Sequence, residues 1–140
     1  MAPRILVAGV LALDNLKTPK RSEERIVGGA GVYSSISSSI FAETALVAAI
    51  GNDFPKNILE KIKSHGIDIG SVSELDYPTF HWSGEYKGDM SQAITHATDF
   101  RINEHYNWEI EKQHRESNVL LLCNNDPSIQ LRVLEQVKAK

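Results

Sequence analysis

The sequence predicts an α/β fold in which a parallel sheet flanked by helices carries a small β-hairpin, and three observations predict it. Ile5–Val10, Thr44–Ile50 and Val119–Cys123 are short, continuous aliphatic runs, the composition of strands covered on both faces. Segments with helical spacing of apolar residues follow them, opened by Gly-, Asp- and Pro-containing turns. Between the second and third runs lies a stretch of different character, rich in Thr and aromatic residues and polar on both faces.

Ile5–Val10 is the first buried strand, and its apolar run continues through Leu11, Ala12 and Leu13 to meet Asp14. Gly28-Gly29-Ala30-Gly31 opens a helix in which Val32, Ile36 and Ile40 recur at i, i+4 and i+8, with serines at most other positions. Serine is a middling helix former, so this helix leans on packing, and its small side chains let the backbone approach a sheet or a ligand. Thr44–Ile50 is the second strand. Asp53 is placed to cap the next helix, Pro55 suits its first turn, Ile58, Leu59 and Ile62 supply its buried face, and Gly66 ends it. Thr79–Lys87 and Gln92–Thr98, separated by Gly88-Asp89-Met90-Ser91, read as an antiparallel hairpin standing away from the main sheet. Arg101–Ser117 has weak periodicity and reads as loop with a short helix. Val119–Cys123 is the third buried strand, and Asp126-Pro127 caps and starts a helix with Ile129, Val133 and Val137 inward. No repeat or Pro/Ser linker divides the chain, so residues 1–140 form one unit with the hairpin excursion at 71–98.

A chain of 140 residues hides roughly two thirds of its extended surface on folding, so it needs neither disulfides nor a structural metal. Its single cysteine, Cys123, has no internal partner. With 15 Lys and Arg against 18 Asp and Glu, the chain lacks the basic footprint of a nucleic-acid binder. The amino terminus carries one basic residue and meets Asp14 too soon for a signal peptide, and no run nears the ~18 apolar residues of a membrane helix. The expected compartment is the cytoplasm, with no membrane partner.

The candidate site residues cluster at chain turns. Gly28-Gly29-Ala30-Gly31 either presents backbone N–H groups to a phosphate or a hydroxyl-rich ligand, or makes a plain strand-to-helix turn. Neither G-x-G-x-x-G nor G-x-x-x-x-G-K-[ST] occurs, which excludes Rossmann and P-loop readings. Asp14, just past the first strand, stands where open α/β sheets place ligand groups, or closes a turn with Asn15. Asn125 occupies the same edge after the third strand and is free to enter a cleft, whereas Asp126 reads as a helix cap. His81, Trp82 and Tyr86 can cover a bound sugar or simply pack across strands. The five histidines show no metal-ligand spacing, and no Ser-nucleophile elbow or zinc-protease motif occurs.

In their order, Ile5–Asp14, Gly28–Ser35, Ala48–Pro55, the hairpin after Gly66-Ile67-Asp68, and Asn124–Val133 resemble the amino-terminal half of the PfkB-type, ribokinase-like carbohydrate kinases. The resemblance is strongest to a branch with Gly-Gly-Ala-Gly-Val-Tyr at the glycine motif and a Thr-Phe-x-Trp-Ser-Gly lid strand, here Thr79–Gly84. It implies a ribokinase-like parallel sheet with a hairpin lid, the carboxyl-terminal half being absent. It also implies that Asp14, Gly28 and Gly29 hold sugar hydroxyls, with Phe80 and Trp82 in the lid. Tyr33 stands where many members have Asn, and Asn125 where ribokinase-like members often have a sugar-contacting Glu; both are carried as substrate-binding positions. The family's D-T-x-G-A-G-D segment, which supplies the base and the anion hole, does not occur in these 140 residues. The expected function is the sugar-binding half of a kinase that uses ATP and Mg2+, with neither held tightly by this chain, no catalytic or metal residue in it, and a homodimer formed through the lid or an exposed sheet edge. The alternative is a non-catalytic small-molecule-binding or self-associating module.

Overall fold

The computed structural model describes residues 4–139; Met1 to Pro3 and Lys140, the ends of the expected 1–140 unit, lie outside them. In chain order the elements are β1 (Arg4–Ala8), β2 (Ala12–Lys17), β3 (Ser22–Gly28), α1 (Ala30–Ser39), β4 (Glu43–Gly51), α2 (Lys56–Ser64) and β5 (Asp68–Leu75). Then follow β6 (Phe80–Tyr86), β7 (Ala93–Asp99), α3 (Arg101–His105), α4 (Lys112–Arg115), β8 (Val119–Leu122) and α5 (Pro127–Leu134).

Strands β5, β4, β1 and β8 lie side by side in that order and pair in parallel throughout. Successive side chains of β4 point to opposite faces, and both faces are covered. Ala45, Val47 and Ala49 pack with Ile102, Trp108, Ile129 and Val133 from α3, α5 and the intervening loop. Leu46, Ala48 and Ile50 pack with Val32 of α1 and Ile62 of α2. The parallel sheet flanked by helices is the layer arrangement predicted from the aliphatic runs.

A second sheet has the order β3, β2, β6, β7, with β2 and β6 parallel and the two outer pairs antiparallel. The expected 71–98 excursion describes it poorly. Ser71 to Leu75 belong to β5 in the main sheet, while β2 and β3, far upstream, complete the second one. The cause lies at Gly9. Hydropathy gives one unbroken apolar run from Ile5 to Leu13, with the strand expected over Ile5–Val10, but the chain leaves the main sheet after Ala8 and enters the second at Ala12. At Gly9 the backbone runs so close to Gly31 that a Cβ would fall 2.7 Å from the Gly31 Cα. Asp14 therefore lies inside a strand of the second sheet, not in a turn at the end of the first.

Four smaller expectations also change. Val119–Cys123 is an edge, not a fully buried strand, and Val119 and Leu121 are exposed on it. Ile40 stands out in solvent, and buried Ser35 takes its place beside Val32 on the inner face of α1. Asp53 makes no cap for α2, because its carboxylate accepts from both the amide and the hydroxyl of Thr79, at 2.9 and 2.7 Å. Arg101–Ser117, expected as loop with a short helix, holds the two short helices α3 and α4 and carries Ile102, Tyr106, Trp108 and Ile110 into the core.

Candidate functional site

Beyond the carboxyl ends of β1 and β8, which neighbour each other in the main sheet, lies a cavity of about 630 Å³. The chain runs from β1 through β2 and β3 to β4 on one side, and returns to β8 on the other, so the crevice falls at the point where the strand order reverses. That is where open α/β sheets hold ligands. Its walls come from five places: Val10 to Asp14, the start of α1, β6, α3, and the segment from Asn124 into α5.

One wall is a face of the second sheet. Ala12 pairs with Phe80 and Asp14 with Trp82 in the β2 to β6 register, and all four line the cavity. The alternate residues Leu13 and His81 turn to the opposite face, where the His81 ring bonds the Leu13 carbonyl and a smaller polar pocket forms. Period-two alternation thus decides which side chains of this sheet can meet a ligand. The Trp82 ring occupies the space that a Cβ on Gly84 would need, and its Nε1 donates to Thr95 Oγ1 at 3.1 Å.

Asp14 is the acid in this wall. Burial holds its carboxyl above the ordinary carboxylate range, and the Trp82 amide, donating to Oδ1 at 3.3 Å, and the nearby His81 pull it back only in part. Gly28 sits directly against it: a Cβ at residue 28 would overlap Asp14 Oδ2. Gly29 has φ 92°, in the region closed to most side chains, and a Cβ there would strike the Val10 carbonyl. The glycine pair brings the first turn of α1 against the cavity and leaves Asp14 uncovered.

Of the residues singled out in the sequence, Asp14, Gly29, Phe80, Trp82 and Asn125 line this one cavity, and Gly28 lies behind Asp14. Asn125 Oδ1 accepts from the Asp126 amide at 2.9 Å, which leaves its NH2 group for other partners. Asp126 caps α5, accepting from Ser128 N at 2.8 Å, as its position before Pro127 predicts. Tyr33 does not join them. It stands 64% exposed on α1 and is not a lining residue, because the turn that faces the cavity is Gly29-Ala30 and Tyr33 lies further along the helix. Sequence reasoning missed Phe100, Asn103, Glu104 and Arg132, which also line the cavity. No periodic signal marks Phe100, Asn103 and Glu104, since α3 spans five residues, and Arg132 lies on α5 outside its inward stripe of Ile129 and Val133.

A second polar cluster has the residue types of a hydrolytic triad but not its access. Ser71 Oγ lies 2.7 Å from His114 Nδ1, and His114 Nε2 lies 3.0 Å from Asp68 Oδ2, close but poorly aligned for a hydrogen bond. Ser71 and His114 are both buried, and Ser71 Oγ also accepts from the Glu111 amide at 3.0 Å. No substrate reaches this hydroxyl, so the cluster pins α4 to β5. Burial alone would raise the Asp68 carboxyl, but the His114 ring and the Gly70 amide outweigh it and hold the group below the ordinary range.

No family model matches the chain. Among curated proteins it is similar to a cytidine kinase of Thermococcus kodakarensis, 27% identical over 139 residues, which are 97% of this chain and 49% of that protein. Among solved structures it matches a nucleoside kinase of Methanocaldococcus jannaschii, an archaeal member of the ribokinase family, with a TM-score of 0.72 at 16% identity over 96% of this chain and 48% of that one. Its fold is that of the ribokinase family. The Arabidopsis thaliana ribokinase, complexed with ribose and ATP, matches with a TM-score of 0.70 at 20% identity over 99% of this chain and 51% of that one. The chain thus spans about half the length of the ribokinase-type proteins it matches.

Proposed function

We propose that this chain forms the acceptor-binding half of an ATP-dependent kinase that phosphorylates a hydroxyl of a sugar or nucleoside. One observation carries the reading: Asp14, Gly29, Phe80, Trp82 and Asn125, from four separate segments, line one cavity at the reversal point of a ribokinase-type sheet. The similarity to a cytidine kinase and to ribokinase supports it. Asp14 accepts hydrogen bonds from two acceptor hydroxyls, the Gly28-Gly29 turn lets the sugar ring approach the backbone, and Phe80 and Trp82 close over it as a lid that excludes water. In-line phosphoryl transfer depends chiefly on such positioning and on charge stabilisation. Among the described residues no three His, Cys, Asp or Glu side chains converge to hold a metal. No helix of the described residues is long and apolar enough to cross a membrane.

Titration of the chain with ribose tests the reading. Asp14→Asn exchanges a strong acceptor for an amide and is expected to weaken ribose binding about ten-fold, as for the loss of a hydrogen bond to a charged group. Unchanged affinity would return Asp14 to a purely structural role. The 140 residues alone are expected to transfer no phosphate from ATP to ribose. An in-frame continuation past Lys140 into a D-T-x-G-A-G-D motif would favour the kinase over a non-catalytic binding module. Without that covering half, the exposed edge of β8 and the second sheet are the surfaces through which a concentration-dependent dimer is expected.

A further inference from the structure

Asn103 is a polar side chain that the fold buries and leaves without a partner. It is 5% exposed, yet its amide makes no hydrogen bond among the described residues. Its backbone groups are occupied: the N–H donates to Phe100 O at 2.9 Å, and the carbonyl accepts from Trp108 Nε1 at 3.3 Å. Only His114 Nε2 is both sealed from solvent and unpartnered among the described residues. The Asn103 amide therefore reaches open space, and the open space that Asn103 borders is the cavity that holds Asp14. Burying a primary amide without hydrogen bonds is costly, and such groups in folded proteins nearly always find a partner. An apolar residue would serve packing better here, because Ile102 beside it is fully buried in the core.

The chemistry of the partner follows from the amide and its surroundings. A carboxamide offers one donor and one acceptor side by side, which matches the paired donor and acceptor edge of a nitrogen heterocycle. Phe80, Trp82 and Phe100 border the same cavity and offer flat faces on which such a ring stacks. A bare pentose has no planar ring to stack and no fixed donor and acceptor edge. Asp14 and the glycine turn already account for hydroxyl recognition, so Asn103 is left for a different part of the ligand.

We propose that Asn103 reads the base of a nucleoside acceptor, with the ribose at Asp14 and the heterocycle at Asn103 and the aromatic residues. The proposal rests on the reading of the cavity as an acceptor site and deepens it by choosing the nucleoside over the simple sugar. It is tested by titrating the wild-type chain, Asn103→Ala, Asn103→Leu and Asp14→Asn with cytidine, inosine and ribose. The wild-type chain is expected to bind at least one nucleoside ten-fold or more tightly than ribose. Both Asn103 variants are expected to lose about ten-fold in that nucleoside affinity while ribose affinity and the unfolding midpoint hold or rise. Ribose binding that depends on Asp14, with neither nucleoside bound better, would overturn the base assignment and leave the acceptor site standing. Preferential nucleoside binding that both Asn103 variants retain would overturn the role of Asn103 alone. Failure of all three ligands to bind would overturn the acceptor reading and this proposal with it.

Discussion

Strand β4 has β1 and β5 on either side and helices on both faces, so Thr44 to Gly51 are all buried. Strand β7 has one neighbour, β6, and Ala93 to Thr98 are all exposed. The first is stabilised by apolar burial, roughly 25 cal/mol per Å². The second is held by its backbone ladder and by side chains such as Glu85, which gathers Lys17, Lys87 and His96 on the surface, where ion pairs contribute little. The cavity is built across both regions: its floor is the end of the rigid sheet, and one wall is a face of the softer one. Binding surfaces that close over a ligand are drawn from the less stable parts of a fold, and the lid proposed for Phe80 and Trp82 would use this less covered sheet.

The largest effect that sharpens this contrast comes from paired truncations. Trp108→Ala empties a fully buried site in the core and is expected to cost about 3–5 kcal/mol in urea unfolding. Ile94→Ala, on the exposed face of β7, is expected to stay within about 0.5 kcal/mol. Comparable losses from both would show that the second sheet has a core of its own.

An intermediate effect concerns the link between the two regions. The buried Thr79 hydroxyl accepts from Gly51 N at 2.9 Å at the end of β4 and donates to Asp53 Oδ1 at 2.7 Å, and Arg25 from β3 lies 3.4 Å from Asp53 Oδ2. Burial alone would raise the Asp53 carboxyl, but the two Thr79 bonds and Arg25 outweigh it and hold the group below its ordinary 3.8. A lowered carboxylate stabilises the fold above its unfolded value, and that stability is lost as the pH falls through the folded value. Asp53→Asn is expected to cost about 1 kcal/mol at neutral pH. The deficit should shrink progressively below pH 3.8, where the wild-type carboxylate also becomes neutral. Hydrogen exchange should quicken in β6 and β7 and hold steady in β4; equal acceleration in all three strands would mean that Asp53 supports the whole fold.

The smallest effect has the opposite sign. Because burial raises the Asp14 carboxyl, the unfolded chain ionises first as the pH climbs through 3.8, and the folded state then carries a cost that persists at neutral pH. Asp14→Asn is expected to raise the thermal midpoint modestly at pH 7 and to leave it unchanged below pH 3.8. A lower midpoint at pH 7 would mean that the carboxylate stabilises the fold and is not held there at a cost to it.

How far the fold was legible follows from the range over which each signal acts. Strand β4 and the cap at Asp126 declared themselves because continuous hydropathy and a local Asp-Pro turn are short-range signals. The division of the Ile5–Leu13 run did not, because the residue that bends it is a single glycine whose reason is a contact with Gly31, far along the chain. Asp53 departs from its expected role for the same reason: its local context suits a cap, but Thr79, 26 residues on, offers two donors and wins. At the site, Gly29 and Asn125 are legible as turn residues, Asp14 as the acid that ends an apolar run, and Phe80 and Trp82 through the resemblance of the Thr79–Gly84 strand. Asn103 is not, because an unpaired amide is a property of surroundings that no spacing records.

The contact between Gly28 and Asp14 also bears on how this sequence can change. A side chain at residue 28 would press on the Asp14 carboxylate, whereas Asp14 can change while residue 28 stays glycine, so the constraint runs in one direction. A substitution at Gly28 requires either that the Asp14 side chain turn from its present position or that residue 14 be shortened, which removes the acid. The order of mutation therefore matters, because restoring Asp14 against a larger residue 28 meets the same overlap. A lineage that lost this acid would tend to drift at both positions together, and the joint state of the pair would record whether a given relative still has the carboxylate that faces the cavity.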